Sequence, residues 1–357
     1  APELEQTMSE NTITTLSEFL EQSGAHYRVF DMGRRVTKLS AKKFARFEAA
    51  EIPYPFPFQR TALFGIIFWH PQFTDRHYVW FLKFPLDEQG LLIQAARDEF
   101  LVMVLDRVGE YLLAAADGKH IEGALKDSPY SFNPREDRMA AFNAMATKSL
   151  SLRPSSFYEA AYDYFTGQKS FDSWQVLGMQ GVADIAVRTD DKTLTKALIQ
   201  TLPQLPPQPF HMLTSFMENA EPANNMVEAL QWRLKNELEQ NQPDITEVCA
   251  CLRAVSNTAA QGMVESMVKQ TLVSDISRHI EVLAVIAGRC WKVLEKPELC
   301  QLFVEKLAVN EAGYEGFSHI LADLMFMPGM RELVMTALRN PNRSAELTQQ
   351  VGTMFGS

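Results

Sequence analysis

The chain has 357 residues, 46% apolar and 22% charged, with a formal net charge of −10. This ordinary globular balance supports a sizeable core and excludes a low-complexity, collagen-like or cysteine-stapled chain. The strongly apolar runs at 62–69 and 100–105 are far shorter than the ~20 residues a spanning helix needs, so no membrane-spanning segment is expected.

The charge is unevenly spread. Residues 26–46 carry seven basic groups against the single acid Asp31, a local excess of +6, and the rest of the chain is acidic. That pattern argues against general nucleic-acid binding and leaves room for one local anion or partner site. Residues 1–10 are acidic, lack the basic start and apolar core of a signal peptide, and are expected to form a disordered tail. Cys249, Cys251, Cys290 and Cys300 lie in helical patterns and are expected as buried free thiols in a reducing cytoplasm.

Along the chain, Thr12 or Thr14 is placed to cap a first helix that carries Leu16, Phe19 and Leu20 and stops at Gly24. Two alternating runs then flank Met32-Gly33, which suggests a tight hairpin with Gly33 at positive φ. Ser40 caps a short basic helix through Phe44 and Phe47. Prolines 53, 55 and 57 force an extended connector packed by its aromatics. Two strands follow at 58–69 and 77–84. Their near-continuous apolar character predicts burial on both faces. A long apolar helix is expected over 94–113, an irregular linker over 117–133, and a helix capped by Asn133 with Pro134 at its first position.

From Phe171 onward the pattern repeats. Helix pairs are expected to begin near Phe171, Pro207, Pro243, Asp275 and Gly313, at spacings of about 36, 36, 32 and 38 residues. Single-face stripes such as Leu194, Leu198, Leu202 and Val227, Leu230, Leu234 run at helical period, with Pro, Gly, Asn and Asp between them. The expected architecture is therefore mainly α. It comprises an N-terminal α+β module over 11–116 (two β-hairpins, an antiparallel sheet with helices), connecting segments over 117–170, and a HEAT-like α-solenoid of about five helix pairs over 171–357.

Linear chemistry motifs are missing: no phosphate-binding glycine loop, no H-E-x-x-H, no nucleophile elbow, and no zinc spacing among the cysteines. No catalytic residue, metal or cofactor is assigned on this basis. Asp275 with His279, and Glu315 with His319, are spaced to share helix faces in neighbouring repeats. Two ordinary surface pairs account for that spacing better than a cross-repeat metal or acid–base cluster. Candidate binding residues are Arg28, Arg34, Arg35, Lys38, Lys42 and Lys43 on the basic island, set against a merely solvated or docking face. His70 and His77 bracket the loop at the sheet's end. Asp31 is expected as a turn residue.

The run from Thr12 to Val36, with its signature Tyr27-Arg-Val-Phe-Asp-Met-Gly-Arg-Arg35, resembles the opening of the bacterial domain-of-unknown-function family 3549. The likeness extends through the strands at 64–84 and the helical half. It implies a bacterial, cytoplasmic protein and transfers no activity and no site residues. The expected function is a non-enzymatic interaction scaffold that offers an acidic helical-repeat surface to a protein partner, without membrane contact. The alternative is an anion or nucleic-acid module working through residues 26–46.

Overall fold

The computed structural model describes residues 12–109, 121 and 123–356. The expected tail at 1–10, the end of the helix expected over 94–113, and residues 117–120 and 122 of the linker lie outside the described residues. The chain divides into two compact units at Arg135/Glu136, inside the stretch expected to connect its halves.

The first unit contains α1 (Leu16–Gln22), β1 (His26–Asp31), β2 (Thr37–Leu39), α2 (Ala41–Glu48), β3 (Thr61–Trp69), β4 (Tyr78–Pro85) and α3 (Gln94–Val108). The strands form one antiparallel sheet in the order β2-β1-β3-β4. Thr15, not Thr12 or Thr14, caps α1 by accepting from the Glu18 amide, and Gly24 follows at φ 75°. Ser40 caps α2 by accepting from the Lys43 amide.

One sheet face carries Phe64, Phe68, Trp80 and Phe84, all buried. Rings from the helices interlock with it at Phe44–Phe64 (5.2 Å), Phe84–Phe100 (5.6 Å) and Trp80–Phe100 (6.3 Å). Each such buried aromatic contributes ~1.5–3 kcal/mol of apolar transfer. Glu48, at the end of α2, holds α1 in place: its carboxylate accepts from the Leu16 amide at 2.7 Å and the Ser17 amide at 2.8 Å, the open N-terminus of that helix.

Two strand expectations change. β3 starts at Thr61, because Gln59 and Arg60 sit at positive φ and turn the chain before pairing begins. β4 is not buried on both faces. Trp80, Leu82 and Phe84 point inward while Val79 and Lys83 are exposed, so the strand alternates despite its apolar letters.

The second unit is helical: α4 (Glu136–Ser149), α5 (Tyr158–Phe165), α6 (Met179–Ala186), α7 (Lys192–Thr201), α8 (Pro207–Met217), α9 (Asn224–Leu238), α10 (Ile245–Val255), α11 (Gln261–Leu272), α12 (Ile280–Arg289), α13 (Pro297–Ala308), α14 (Gly313–Phe326), α15 (Met330–Leu338) and α16 (Ala345–Phe355). Start signals are local. Asp191 and Asp244 accept amide hydrogens at the heads of α7 and α10, and Pro207 and Pro297 occupy the first turns of α8 and α13. α4 begins at Glu136, two residues past the expected Pro134. Short 3₁₀ turns at Phe171–Val176 and Asp275–Arg278 stand where two of the repeat starts were expected, ahead of α6 and α12.

Contacts alternate. Helices α4, α6, α8, α10, α12 and α14 pack successively on one another, α5, α7, α9, α11, α13 and α15 do the same, and neighbours in sequence cross between the two rows. Leu194, Leu198, Leu230 and Leu234 fill the space between them without exposure. The chain is thus mainly helical with a small four-stranded antiparallel sheet at its N-terminal end. No helix among the described residues is long and apolar enough to cross a membrane.

Candidate functional site

The basic island does not form one face. Its centre is Asp31, which is buried without exposure. Oδ2 of Asp31 accepts from the amides of Arg34 (3.2 Å) and Arg35 (2.9 Å), and Oδ1 accepts from the Gly33 amide (3.3 Å) and the Tyr54 hydroxyl (2.8 Å). This wraps residues 32–36 into a loop around one carboxylate instead of a tight turn. Gly33 is absent from the positive-φ residues. Its need is for space, since a Cβ there would meet Phe58 Cβ at 3.0 Å and Leu63 Cβ at 3.3 Å. Burial, then the Asp31 charge, pushes the Tyr54 phenol well above its ordinary value.

Arg34 and Arg35 are each 1% exposed. Arg34 donates from Nε (3.0 Å) and Nη2 (2.7 Å) to the Pro57 carbonyl of the proline-aromatic connector. Neither side chain belongs to an exposed cationic face. The loop aims both inward, because its backbone amides are tied to Asp31.

The other candidates separate into three places. Lys38 on β2 and Lys42 and Lys43 on α2 are exposed. Arg28 lies with its guanidinium 5.4 Å from the centre of the Trp69 ring, and the same ring meets His26 at 5.9 Å and His77 at 5.3 Å. Burial lowers the His77 pKa from its ordinary value, with Asp75 opposing the shift. His70 turns back on its own loop, accepting from the Gln72 amide at 3.1 Å and packing on Phe73. The structure thus joins Arg28 to His77 through Trp69 and leaves His70 apart.

Sequence patterning missed the polar clamps of the helical unit. Glu247, at the start of α10, is buried and meets His211 of α8 at 2.8 Å and Arg233 of α9. Arg233 also donates to the Leu202 carbonyl at 2.6 Å and lies 3.5 Å from the Phe210 ring centre. Burial pushes the Glu247 carboxyl up, but the His211 and Arg233 hydrogen bonds outweigh it and hold the pKa below its ordinary value. Glu218 bridges Arg289 at 2.7 Å and Arg138 at 3.7 Å. The partners stand 14 to 80 residues apart, so no local spacing announces them. These groups tie helices together and bring no nucleophile to a base. All four cysteines are buried free thiols; burial pushes Cys249 and Cys300 up to about 11 and Cys251 higher still.

Two features of the helical unit are open to a ligand. One is a groove of about 940 Å³ between α13 and α15, lined by Leu302, Leu333 and Ala337 together with Glu298, Glu305 and Arg339. The other joins His279, at the head of α12, to Glu311, in the turn before α14, at 2.8 Å between Nδ1 and Oε1, with Glu281 beside them. The sequence spacing paired His279 with Asp275. The structure instead puts Asp275 in a 3₁₀ turn and supplies the carboxylates of Glu281 and Glu311.

No curated protein and no solved structure matches this chain. The family model described as Protein of unknown function (DUF3549) matches residues 11–355, nearly the whole length, and the chain belongs to that family.

Proposed function

We propose that the protein is a non-enzymatic scaffold whose helical unit is a HEAT-like solenoid binding a partner segment that carries apolar side chains and a basic group. The two alternating rows of helices support the solenoid reading: each helix leans on the next but one, as in arrays that extend by nearest-neighbour stacking. The groove between α13 and α15 carries the binding reading. Its lining is mostly apolar surface and includes Glu298 and Glu305, which suits an amphipathic segment better than a small polar substrate.

The test places a photo-crosslinking residue at Leu302 in the full chain, exposes it to a lysate of the source cell, and maps the captured peptides. Captured segments are expected to alternate apolar residues with Lys or Arg. Capture from a site beside the groove is expected to fall at least tenfold with Leu333→Asp. Trp232→Ala is the control: it removes an exposed aromatic on α9, far along the array, and is expected to change nothing. Capture that ignores Leu333→Asp refutes the reading.

A second reading keeps anion binding at the first unit. It rests on Lys38, Lys42 and Lys43, the candidates of the island that are exposed. It predicts salt-dependent retention of single-stranded nucleic acid that is lost when Lys42 and Lys43 become Ala. Retention unaffected by that pair of changes removes it.

A further inference from the structure

We propose that His279, Glu281 and Glu311 form a binding site for one divalent first-row transition metal, of the zinc or cobalt class. Their ligand atoms, one ring nitrogen of His279 and one carboxylate oxygen from each Glu, all lie within 4.8 Å of one another. An ion held at ~2.0–2.2 Å from three ligands sets them ~3.4 Å apart. The His279–Glu311 separation of 2.8 Å and the outer limit of 4.8 Å bracket that spacing, so rotation of the two exposed carboxylates by about an ångström closes the set.

Three observations separate this cluster from a chance gathering of surface acids. The first is the imidazole, a nitrogen ligand only 20% exposed and in direct contact with the Glu311 carboxylate. The second is electrostatic: Glu281 and Glu311 converge without an ion pair to Lys or Arg among the described residues, so their two carboxylates repel each other. A bound cation removes that repulsion. The third is that the ligands come from two segments locked to each other. The Glu311 amide donates to the Arg278 carbonyl at 2.9 Å, one residue before His279. Buried Asn310 donates to Leu307 and Gly313 carbonyls and accepts from the Ala312 amide, which fixes the turn that presents Glu311. Gly316 lets α14 close on that turn, since a Cβ there would stand 2.8 Å from Asn310 Oδ1 and 2.9 Å from Ile280 Cδ1. Backbone bonds thus hold the two segments together, and the exposed Glu281 and Glu311 side chains need only rotate to complete the set.

The donor set selects the ion. One imidazole nitrogen with two carboxylates suits zinc, cobalt, nickel or manganese, and is a poor match for calcium or magnesium, which take oxygen ligands alone. The ion would clamp the head of α12 to the turn before α14, across the interval between two helix pairs.

The test is calorimetric titration of the untagged, chelator-treated full chain with zinc alone and with cobalt alone. One equivalent is expected to bind with micromolar or tighter affinity, in the presence of excess magnesium. Glu281→Gln is the discriminating variant, because it leaves the His279–Glu311 hydrogen bond in place and removes only a ligand. It is expected to weaken binding at least tenfold, and His279→Gln is expected to abolish the visible absorption of bound cobalt. Glu315→Gln, an exposed carboxylate on α14 outside the cluster, is expected to bind as the parent does. No saturable single-equivalent binding, or affinity unchanged by Glu281→Gln, overturns the proposal and leaves His279–Glu311 as an inter-helix hydrogen bond alone.

Discussion

Replacing Asp31 by Ala should open the sheet edge of the first unit more than any other single polar change there. Asp31 accepts at least four hydrogen bonds, three from backbone amides and one from the Tyr54 hydroxyl, and is fully buried. A hydrogen bond to a charged group is worth ~1.5–3 kcal/mol, and a buried donor left unsatisfied costs ~1–3 kcal/mol. The bonds share one loop and are not additive, so about 4 kcal/mol is expected, near the upper end for a point change. Asp31→Asn keeps the Oδ1 acceptor and turns an amide donor toward the Arg34 and Arg35 amides, for about 2–3 kcal/mol. Tyr54→Phe removes one of these bonds, for about 1 kcal/mol. Hydrogen exchange of the amides in β1 and β2 reads this locally. At ~1.4 kcal/mol per decade the three variants should speed exchange by roughly a thousandfold, a hundredfold and five- to tenfold. If Asp31→Ala accelerates exchange less than tenfold, or Tyr54→Phe matches it, Asp31 does not organise the loop.

The helical unit gives further expectations. Because the folded Glu247 pKa lies below 4.5, its contribution is present above pH 4.5 and is lost as pH falls through the lowered value; thermal unfolding should show that acid loss in the parent and not in Glu247→Gln. Gly181→Ala should destabilise by about 2–4 kcal/mol, because its Cβ would fall 2.3 Å from the Phe157 carbonyl oxygen. Gly262→Ala, with open space around it in α11, should stabilise by about 0.5–1 kcal/mol, and denaturant titration separates the two signs. Iodoacetamide at pH 8 should label none of the four cysteines until the chain is unfolded, as mass spectrometry of the intact chain will report.

Much of the helical unit was legible because its signals are local. A stripe such as Leu194 and Leu198, opened by Asp191 and closed before Pro203, specifies one helix without reference to the rest of the chain. Strand β4 was less legible: Val79 and Phe81 are as apolar as the buried Trp80 and Leu82, and letters alone cannot say which alternate face is covered. The Asp31 loop was half legible. Its turn role followed from residue type, but the inward course of Arg34 and Arg35 follows from where several donors converge, which no periodicity encodes. The His279 cluster was located by its histidine and mispartnered, since the carboxylate that reaches it lies 32 residues on, in a turn whose shape Asn310 sets.

Burial of charged groups limits what the net charge of −10 says about a partner. Asp31, Glu48, Glu218 and Glu247 are all buried, and each is occupied by backbone amides or by arginine and histidine within its own unit. They contribute to the formal sum and project little field from the surface, while the buried Arg34 and Arg35 likewise do not count toward a basic face. A preference for a basic partner therefore cannot rest on the total. In the proposed binding mode it rests on exposed Glu298 at the α13–α15 groove, with half-buried Glu305, which accepts from the Ser344 amide at 3.1 Å, as a secondary charge, and exposed Arg339 would set the polarity of the segment that enters. A partner segment lying there should place its basic group against α13 and its acidic or neutral end against Arg339, so reversing the charge at Glu298 and at Arg339 together should restore binding of a segment whose own charges are exchanged, where either reversal alone does not.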